Sequence, residues 1–487
     1  MTGSFTKLRA AQHSADAPVI PMLIGGEWRK AGDTIEVRNP FNGEVAAYAP
    51  RSSPADLDAA LVSAVAAKAQ AAAMPGYERA RILRKVGVLL AERAGTIGEV
   101  IARETGKAVK DAKAEVVRSQ DTIDLSADEA IRIEGEHVPL DGSPMGAGKI
   151  AMILRFPVGI VAGITPFNAP FNLAAHKIAP ALAAGNVIVL KAPPQAPGAV
   201  HELARLFVDA GLPAGFLNVL YGDAVGPALV RDPRVDFISF TGSSRVGAEI
   251  KAASGLRRVA LELGGNGATI VHADASIDEA APICARNSMR LAGQSCISVQ
   301  VVHVHRSIYD KFLARMLDEV KSLKVGDPLD PATDVGTLID EAAAKRVEAW
   351  VKEAVAAGAK LLHGGGRRGA QFDPTVLVGV DPSMRVVCEE VFGPVVSVMP
   401  YDDIEDVFRR ISESRFGLQC GIFTGSLSIA IEAAKKLRTG GVIVNGSSTW
   451  RTDQLAYGGI KDSGIGREGP RYAIRDMTDE RLVVFNM

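Results

Sequence analysis

The chain has 487 residues, is 47% hydrophobic and carries a formal net charge of −1, so it can bury a large core over two or three domains but offers no basic field for nucleic acid. Its four cysteines (Cys284, Cys296, Cys388 and Cys420) include no Cys-x-x-Cys pair; they build neither a disulfide framework nor a zinc site, and they suit a reducing compartment. No apolar run is long enough to span a membrane, and the first 18 residues lack a secretion signal's apolar stretch; a cytoplasmic protein without membrane, metal or nucleic-acid partners is expected.

After a loose tail over 1–18, residues 22–28 and 34–37 read as short strands around a turn. Residues 54–106 turn helical, Ala-rich at first and then apolar at Ile82, Val86, Leu89, Leu90 and Ile97, a spacing of three and four. Helix continues over 110–133. Residues 134–157, punctuated by Gly and Pro, read as an extended hairpin leaving the globular body. Short β-branched or aromatic runs follow at 159–164, 187–190, 217–220, 237–240 and 258–261, with amphipathic helices at 171–183, 199–210 and 245–253. This alternation predicts a doubly wound parallel sheet. A second alternation runs over 268–444, with strands at 299–304, 395–400, 421–424 and 442–444. The fold class is therefore α/β, split near residue 265.

Two segments carry candidate chemistry. In Gly293-Gln294-Ser295-Cys296 one thiol precedes an apolar run, and in Leu261-Glu262-Leu263-Gly264-Gly265-Asn266 one carboxylate stands among apolar residues and glycines. A thiol needs a base or a deprotonating environment to act as a nucleophile. A carboxyl in apolar surroundings has a raised pKa, which suits proton transfer near neutrality. Either residue alone is more often structural: a free Cys in an apolar run is usually a small core residue.

Other segments add weaker signals. Phe240-Thr241-Gly242-Ser243 follows a strand and opens a helix, so its backbone can approach a pyrophosphate; an ordinary Ser-capped turn fits equally well. Lys191 stands at the carboxyl end of a strand, where open α/β sheets bind ligands. Asn168, in Pro166-Phe167-Asn168, has an amide able to donate to an oxyanion. A formal G-x-G-x-x-G at Gly464, Gly466 and Gly469 follows no strand and opens no βαβ unit, so it reads as a decoy.

Together these motifs, with Glu389-Glu390-Val391-Phe392-Gly393-Pro394 and Tyr457-Gly458-Gly459 followed by Lys461, Ser463, Gly464, Gly466 and Arg467, resemble the NAD(P)-dependent aldehyde dehydrogenase superfamily in order and spacing over roughly residues 20–487. The resemblance implies two doubly wound α/β domains plus a small β oligomerisation extension. A nucleotide-binding domain would take 1–133 and 158–265, and a catalytic domain 266–464. The hairpin 134–157 and strand 475–487 would assemble a homodimer or homotetramer. It implies Cys296 as nucleophile, Asn168 at the oxyanion and Glu262 as the base for hydrolysis to the free acid. Thr165, Pro166, Lys191, Gly242, Ser243, Gly264, Glu390 and Phe392 would bind NAD or NADP.

Departures from the family pattern bear on specificity. Pro194 stands three positions after Lys191, where many NAD-preferring members carry a Glu, so charge does not exclude NADP. Asn266 replaces a usual Lys. Arg290 and Arg451 occupy positions that are often aromatic in the substrate tunnel. Paired guanidiniums suit an anionic tail, so phosphonoacetaldehyde, glyceraldehyde 3-phosphate or a semialdehyde acid is the expected substrate class; Arg118 is a third, weaker candidate. Pairing of both arginines with protein carboxylates such as Asp453 is the competing expectation. Neutral aldehydes, a non-redox thiol esterase or a binding protein on the same fold remain the alternatives.

Overall fold

The computed structural model describes residues 17–487, so the tail expected over 1–18 lies almost wholly outside the described residues. The five β-prone runs of the first alternation form parallel strands in the order Leu217–Leu220, Val187–Lys191, Ile160–Ile164, Phe237–Thr241, Arg258–Glu262. The first strand in sequence is central. The chain winds to one edge, then crosses back to the other, which opens a crevice at the carboxyl ends beside Ile160–Ile164. The hairpin Met22–Ile24 and Glu27–Arg29 extends one edge, and Gly464–Ile465 extends the other, both antiparallel. A segment from near the end of the chain therefore closes the first sheet. The G-x-G-x-x-G glycines lie on that edge, and Gly469 precedes the helix Pro470–Asp476.

The second sheet has seven strands in the order Lys360–His363, Thr375–Val378, Val395–Tyr401, Val299–His305, Gly267–Val271, Gln419–Phe423, Gly441–Val444. All its pairings are parallel except the first. The seam between the sheets is the short link from Arg258–Glu262 to Gly267–Val271. Glu262 thus ends the last parallel strand of one sheet just before the chain enters the other. A third sheet pairs Glu136–Val138, Lys149–Pro157 and Thr478–Asn486, all antiparallel. The terminal strand finds its first partner edge within its own chain.

The helices follow their sequence signals. Pro54–Ala73 starts at Ser53 with a reciprocal capping box to Asp56. Gly76–Thr105 buries Ile82, Leu83, Val86, Leu90, Ile97 and Ile101 on one face and ends at Gly106, whose φ of 73° suits glycine. It packs along Val109–Ala130, which in turn lies against Pro170–Ala183. Among the described residues no single helix is long and apolar enough to cross a membrane.

Candidate active site

Cys296 is presented by a strained turn. Leu291, Ala292 and Gly293 all have positive φ, at 57°, 51° and 69°, a conformation that disfavours the two side-chain-bearing residues. Gln294 holds the turn: its side-chain oxygen accepts from Ile339 N at 2.9 Å, and its amide reaches Leu291 O at 3.3 Å. Gly293 has no room for a side chain, because a Cβ there would sit 1.9 Å from Gly393 O. The cysteine turn is thereby pressed onto the Glu390 to Pro394 segment. Cys296 itself is half-buried, and its Sγ lies 3.3 Å from the Tyr457 hydroxyl. Burial pushes the thiol up to about 12, with the nearby Glu390 and Glu262 adding to the rise.

Glu262 is buried, and its Oε2 has no hydrogen-bond partner among the described residues. Burial, then the neighbouring Glu468, raises its carboxyl well above the ordinary range against the pull of Arg451, Lys177 and Arg467. The turn that touches Cys296 through Tyr457 continues into Gly458, where a Cβ would sit 2.8 Å from Glu262 Oε1. Two adjacent residues thus bring the thiol and the carboxyl into one site. Asn168 comes from the turn after Ile160–Ile164 and donates its Nδ2 to Gln294 O at 2.9 Å, which leaves a second amide hydrogen beside the cysteine turn.

The crevice at the carboxyl ends of the first sheet is a cleft of about 500 Å³, walled by Thr165, Pro166, Lys191, Gly242, Arg245 and Phe240 among others. Thr165 Oγ1 is buried without a partner among the described residues, and the helix Ser244–Ala253 begins at the cleft. An orphaned hydroxyl, a lysine and a helix N-terminus fit a phosphate-bearing cofactor. The Ser243 hydroxyl caps that helix by accepting from Val246 N at 3.4 Å, and its hydrogen stays available to a ligand. Lys191 Nζ bonds Asp223 Oδ1 at 3.0 Å, and Asp223 is exposed. Cys296 and Glu262 are not part of these walls; the ring of Phe167, which lines the cleft, meets Phe392 edge-on at 6.1 Å. Phe392 holds a positive φ of 49°, and its neighbour Glu390 accepts from Gly265 N at 3.1 Å, next to Gly264. Burial lifts Glu390 to about 7.

Arg290 and Arg451 do not act as one pair: each is paired with protein carboxylates, which is the competing expectation. Arg290 is exposed and bonds Asp111 at 2.8 Å. Arg451 is buried, bonds Glu468 at 3.1 Å and Asp453 at 3.5 Å, and stacks 3.8 Å from the centre of the Tyr457 ring. The two share no partner, since a guanidinium that loses water needs carboxylates at hand and each finds its own. It is Arg118 that joins Arg451: its Nη2 donates to Asp453 Oδ1 at 2.7 Å while its side chain stays one-third exposed.

Sequence patterning does not single out Lys177, His176 or Glu468, yet all three belong to this cluster. Lys177 Nζ bonds Thr241 Oγ1 at 2.8 Å, and burial lowers its pKa against the pull of Glu468 and Glu262. His176 Nε2 lies 3.4 Å from both Asp453 Oδ1 and Arg451 Nη2. The signal for His176 and Lys177 was a His-Lys pair inside the helix Pro170–Ala183, apolar apart from them and Asn172, because polar residues on a buried helix need partners.

Comparison with known proteins identifies the family of the chain. A sequence profile of the aldehyde dehydrogenase family matches residues 28–483. The chain is 44% identical over 468 residues to 3-sulfolactaldehyde dehydrogenase of Priestia megaterium, covering 96% of this chain and 98% of the other. It superposes with a TM-score of 0.95 and 38% identity on aldehyde dehydrogenase 21 of Physcomitrella patens in complex with its product succinate, covering 97% and 99% of the two chains. The NADP complex of the NADP-dependent glyceraldehyde-3-phosphate dehydrogenase from Bacillus halodurans matches with a TM-score of 0.93 and 35% identity, covering 96% and 99%. The chain belongs to the aldehyde dehydrogenase family and is an oxidoreductase that acts on aldehydes with NAD or NADP.

Proposed function

We propose that the chain oxidises its aldehyde to the free acid through Cys296. The single observation that carries this reading is the buried Oε2 of Glu262, without a partner among the described residues, on a carboxyl that lies against Gly458, the residue after the Tyr457 contact to Cys296. The Cys296 thiolate adds to the carbonyl carbon and forms a C–S bond. The oxygen that becomes negative is met by the free Asn168 amide hydrogen and the Cys296 backbone N–H. NAD or NADP would be held by Thr165, Pro166, Lys191, Gly242, Ser243 and Gly264 with Glu390 and Phe392, and would supply the acceptor for the hydride. The carbon that has given up its hydride is a thioester on Cys296. Glu262, once ionised, takes a proton from water; the oxygen displaces sulfur and the acid is released.

The substrate reading is a short aldehyde with an anionic tail, namely a sulfonate, phosphonate, phosphate or carboxylate. Arg118 supports it: a guanidinium has five N–H donors, Asp453 occupies one side of it, and a third of the side chain faces outward. The names of the relatives agree, since a sulfonated and a phosphorylated aldehyde are among their substrates. Arg290 stands as a second, outer cation, and Arg451 acts from behind through Asp453. Cofactor reduction, followed by absorbance with anionic aldehydes and neutral analogues of equal length, tests this. Preference for the neutral members, as in the reading of a lactaldehyde-type substrate, would discard the tail and keep the reaction.

The domain roles follow the two sheets, with residues 17–133 and 158–265 holding the cofactor and 266–464 the nucleophile. The third sheet extends Leu482 and Phe485 outward, at 63% and 49% exposure. Such an apolar edge suits a second copy of the chain, so a homodimer or homotetramer is the assembly we propose. Light scattering with and without residues 478–487 tests it.

A further inference from the structure

Among the described residues the Cys296 sulfur has one hydrogen-bond contact, the Tyr457 hydroxyl at 3.3 Å, and packs beside Ile297 and Leu418. While both groups are neutral, either can donate. Once the thiol ionises, only the phenol carries a hydrogen, so the contact becomes an O–H···S⁻ bond. Tyr457 is buried at 5% exposure, and its phenol is kept protonated because burial, then the adjacent Cys296, raises it well above 10. Its ring carries the Arg451 guanidinium 3.8 Å from the centre. A cation on the ring face draws electron density from the ring and makes the O–H a stronger donor. Arg451 is fixed there by Glu468 and Asp453, which are themselves buried.

We propose that Tyr457, stacked under Arg451, is the residue that prepares Cys296: as the thiol gives up its proton to solvent, the phenol keeps its own and holds the sulfur in an O–H···S⁻ hydrogen bond. The inference rests on Cys296 being the nucleophile. It also explains why an arginine occupies a position that makes no outward contact: its charge is delivered to the sulfur through the ring. The charged and titratable groups facing the thiol are Glu390 and Glu262, which oppose ionisation, and Tyr457 and Arg451, which favour it. With two carboxyls opposed, removal of the donor leaves the thiolate without its direct hydrogen bond.

The test is the rate of iodoacetamide alkylation of Cys296 over a pH series, followed by mass spectrometry of the Cys296 peptide, in wild type and Tyr457→Phe. Because burial holds the thiol high, labelling is read below its midpoint, where the rate follows the thiolate fraction. The variant is expected to label roughly tenfold more slowly at each pH, equal to a rise of about one pH unit. Replacing Tyr457 by 3-fluorotyrosine, a more acidic donor of nearly equal size, is expected to speed labelling. An unchanged rate in Tyr457→Phe, with an unchanged thermal melt, overturns the proposal. So does a fall in kcat with no change in labelling rate, which would assign the hydroxyl to the substrate instead. Cys296→Ser separates the two readings: persistent cofactor reduction in that variant removes the nucleophile assignment itself, whatever Tyr457 does.

Discussion

Glu262 and Glu468 lie in one buried cluster that drives their carboxyls in opposite directions. Burial and the Glu468 charge raise Glu262, whereas His176, Arg451 and Lys177 overcome burial and lower Glu468. Separated values of this kind divide proton-transfer roles between two groups of the same chemistry. Glu262 acts as a base only when ionised, so turnover is expected to climb as pH rises through its raised value. Removing the Glu468 charge takes away a cause of that rise. In Glu468→Gln the acidic limb of the kcat profile should therefore move to lower pH, which a stopped-flow pH series would check. Glu262→Gln should keep a burst of reduced cofactor but lose steady turnover by about 10²–10⁴-fold.

The same shift has a stability counterpart. A buried carboxyl whose folded value exceeds its unfolded value, near 4.3 in model peptides, favours the folded state below the unfolded value. That contribution is lost as pH rises through the folded one. Glu262→Gln removes the titrating group. Its thermal midpoint relative to wild type should thus improve steadily from acid to alkaline pH, as measured by calorimetry with paired buffers. A constant difference across that range would contradict the assignment.

Arg118 is the exposed member of the Arg118–Asp453–Arg451 chain. A charge-assisted bond to a substrate tail contributes about 1.5–3 kcal/mol. Arg118→Leu should therefore raise KM for an anionic aldehyde roughly 10- to 100-fold while changing that for its neutral analogue little. Equal losses on both substrates would mean that Arg118 supports the site through Asp453 alone.

Lys191 and Asp223 form an ion pair at the cofactor cleft, with Asp223 83% exposed. Exposed pairs contribute little to stability, but the carboxylate repels a phosphate that approaches Lys191. Asp223→Asn should lower KM for NADP about threefold or more relative to NAD, without moving the melting temperature. Titration of both cofactors at low and moderate salt measures this, and the effect should shrink with salt.

Gly293 meets Gly393 O so closely that an alanine methyl would sit 1.9 Å from it, at a φ of 69°. The nearest atoms are all backbone of Gly393 and Pro394, so no side chain can move away. Gly293→Ala is expected to destabilise the protein by about 2–4 kcal/mol and to misplace Cys296. Urea unfolding and cofactor reduction on the same preparation would register both.

Much of this protein is determined by sequence alone. Local patterning suffices for the strand–helix alternation, because β-branched runs and amphipathic helices each bury one face or a whole segment whatever their neighbours. Cys296, Glu262 and Asn168 stand out because each is a polar group in an apolar or glycine-rich segment, a choice that packing alone does not favour. The short strand Thr375–Val378 and the exposed Lys360–His363 escape notice because few residues carry their pattern.

Only the tertiary structure decided which charges meet. Arg290 and Arg451 are equivalent in sequence as unexpected arginines, yet one reaches Asp111 at the surface and the other is enclosed by Glu468, Asp453 and Tyr457. The return of Gly464–Ile465 to the first sheet brings Tyr457, Gly458 and Glu468 against Cys296 and Glu262. Partners so distant along the chain leave no local spacing, because the energy that selects them is desolvation and charge pairing inside an assembled core.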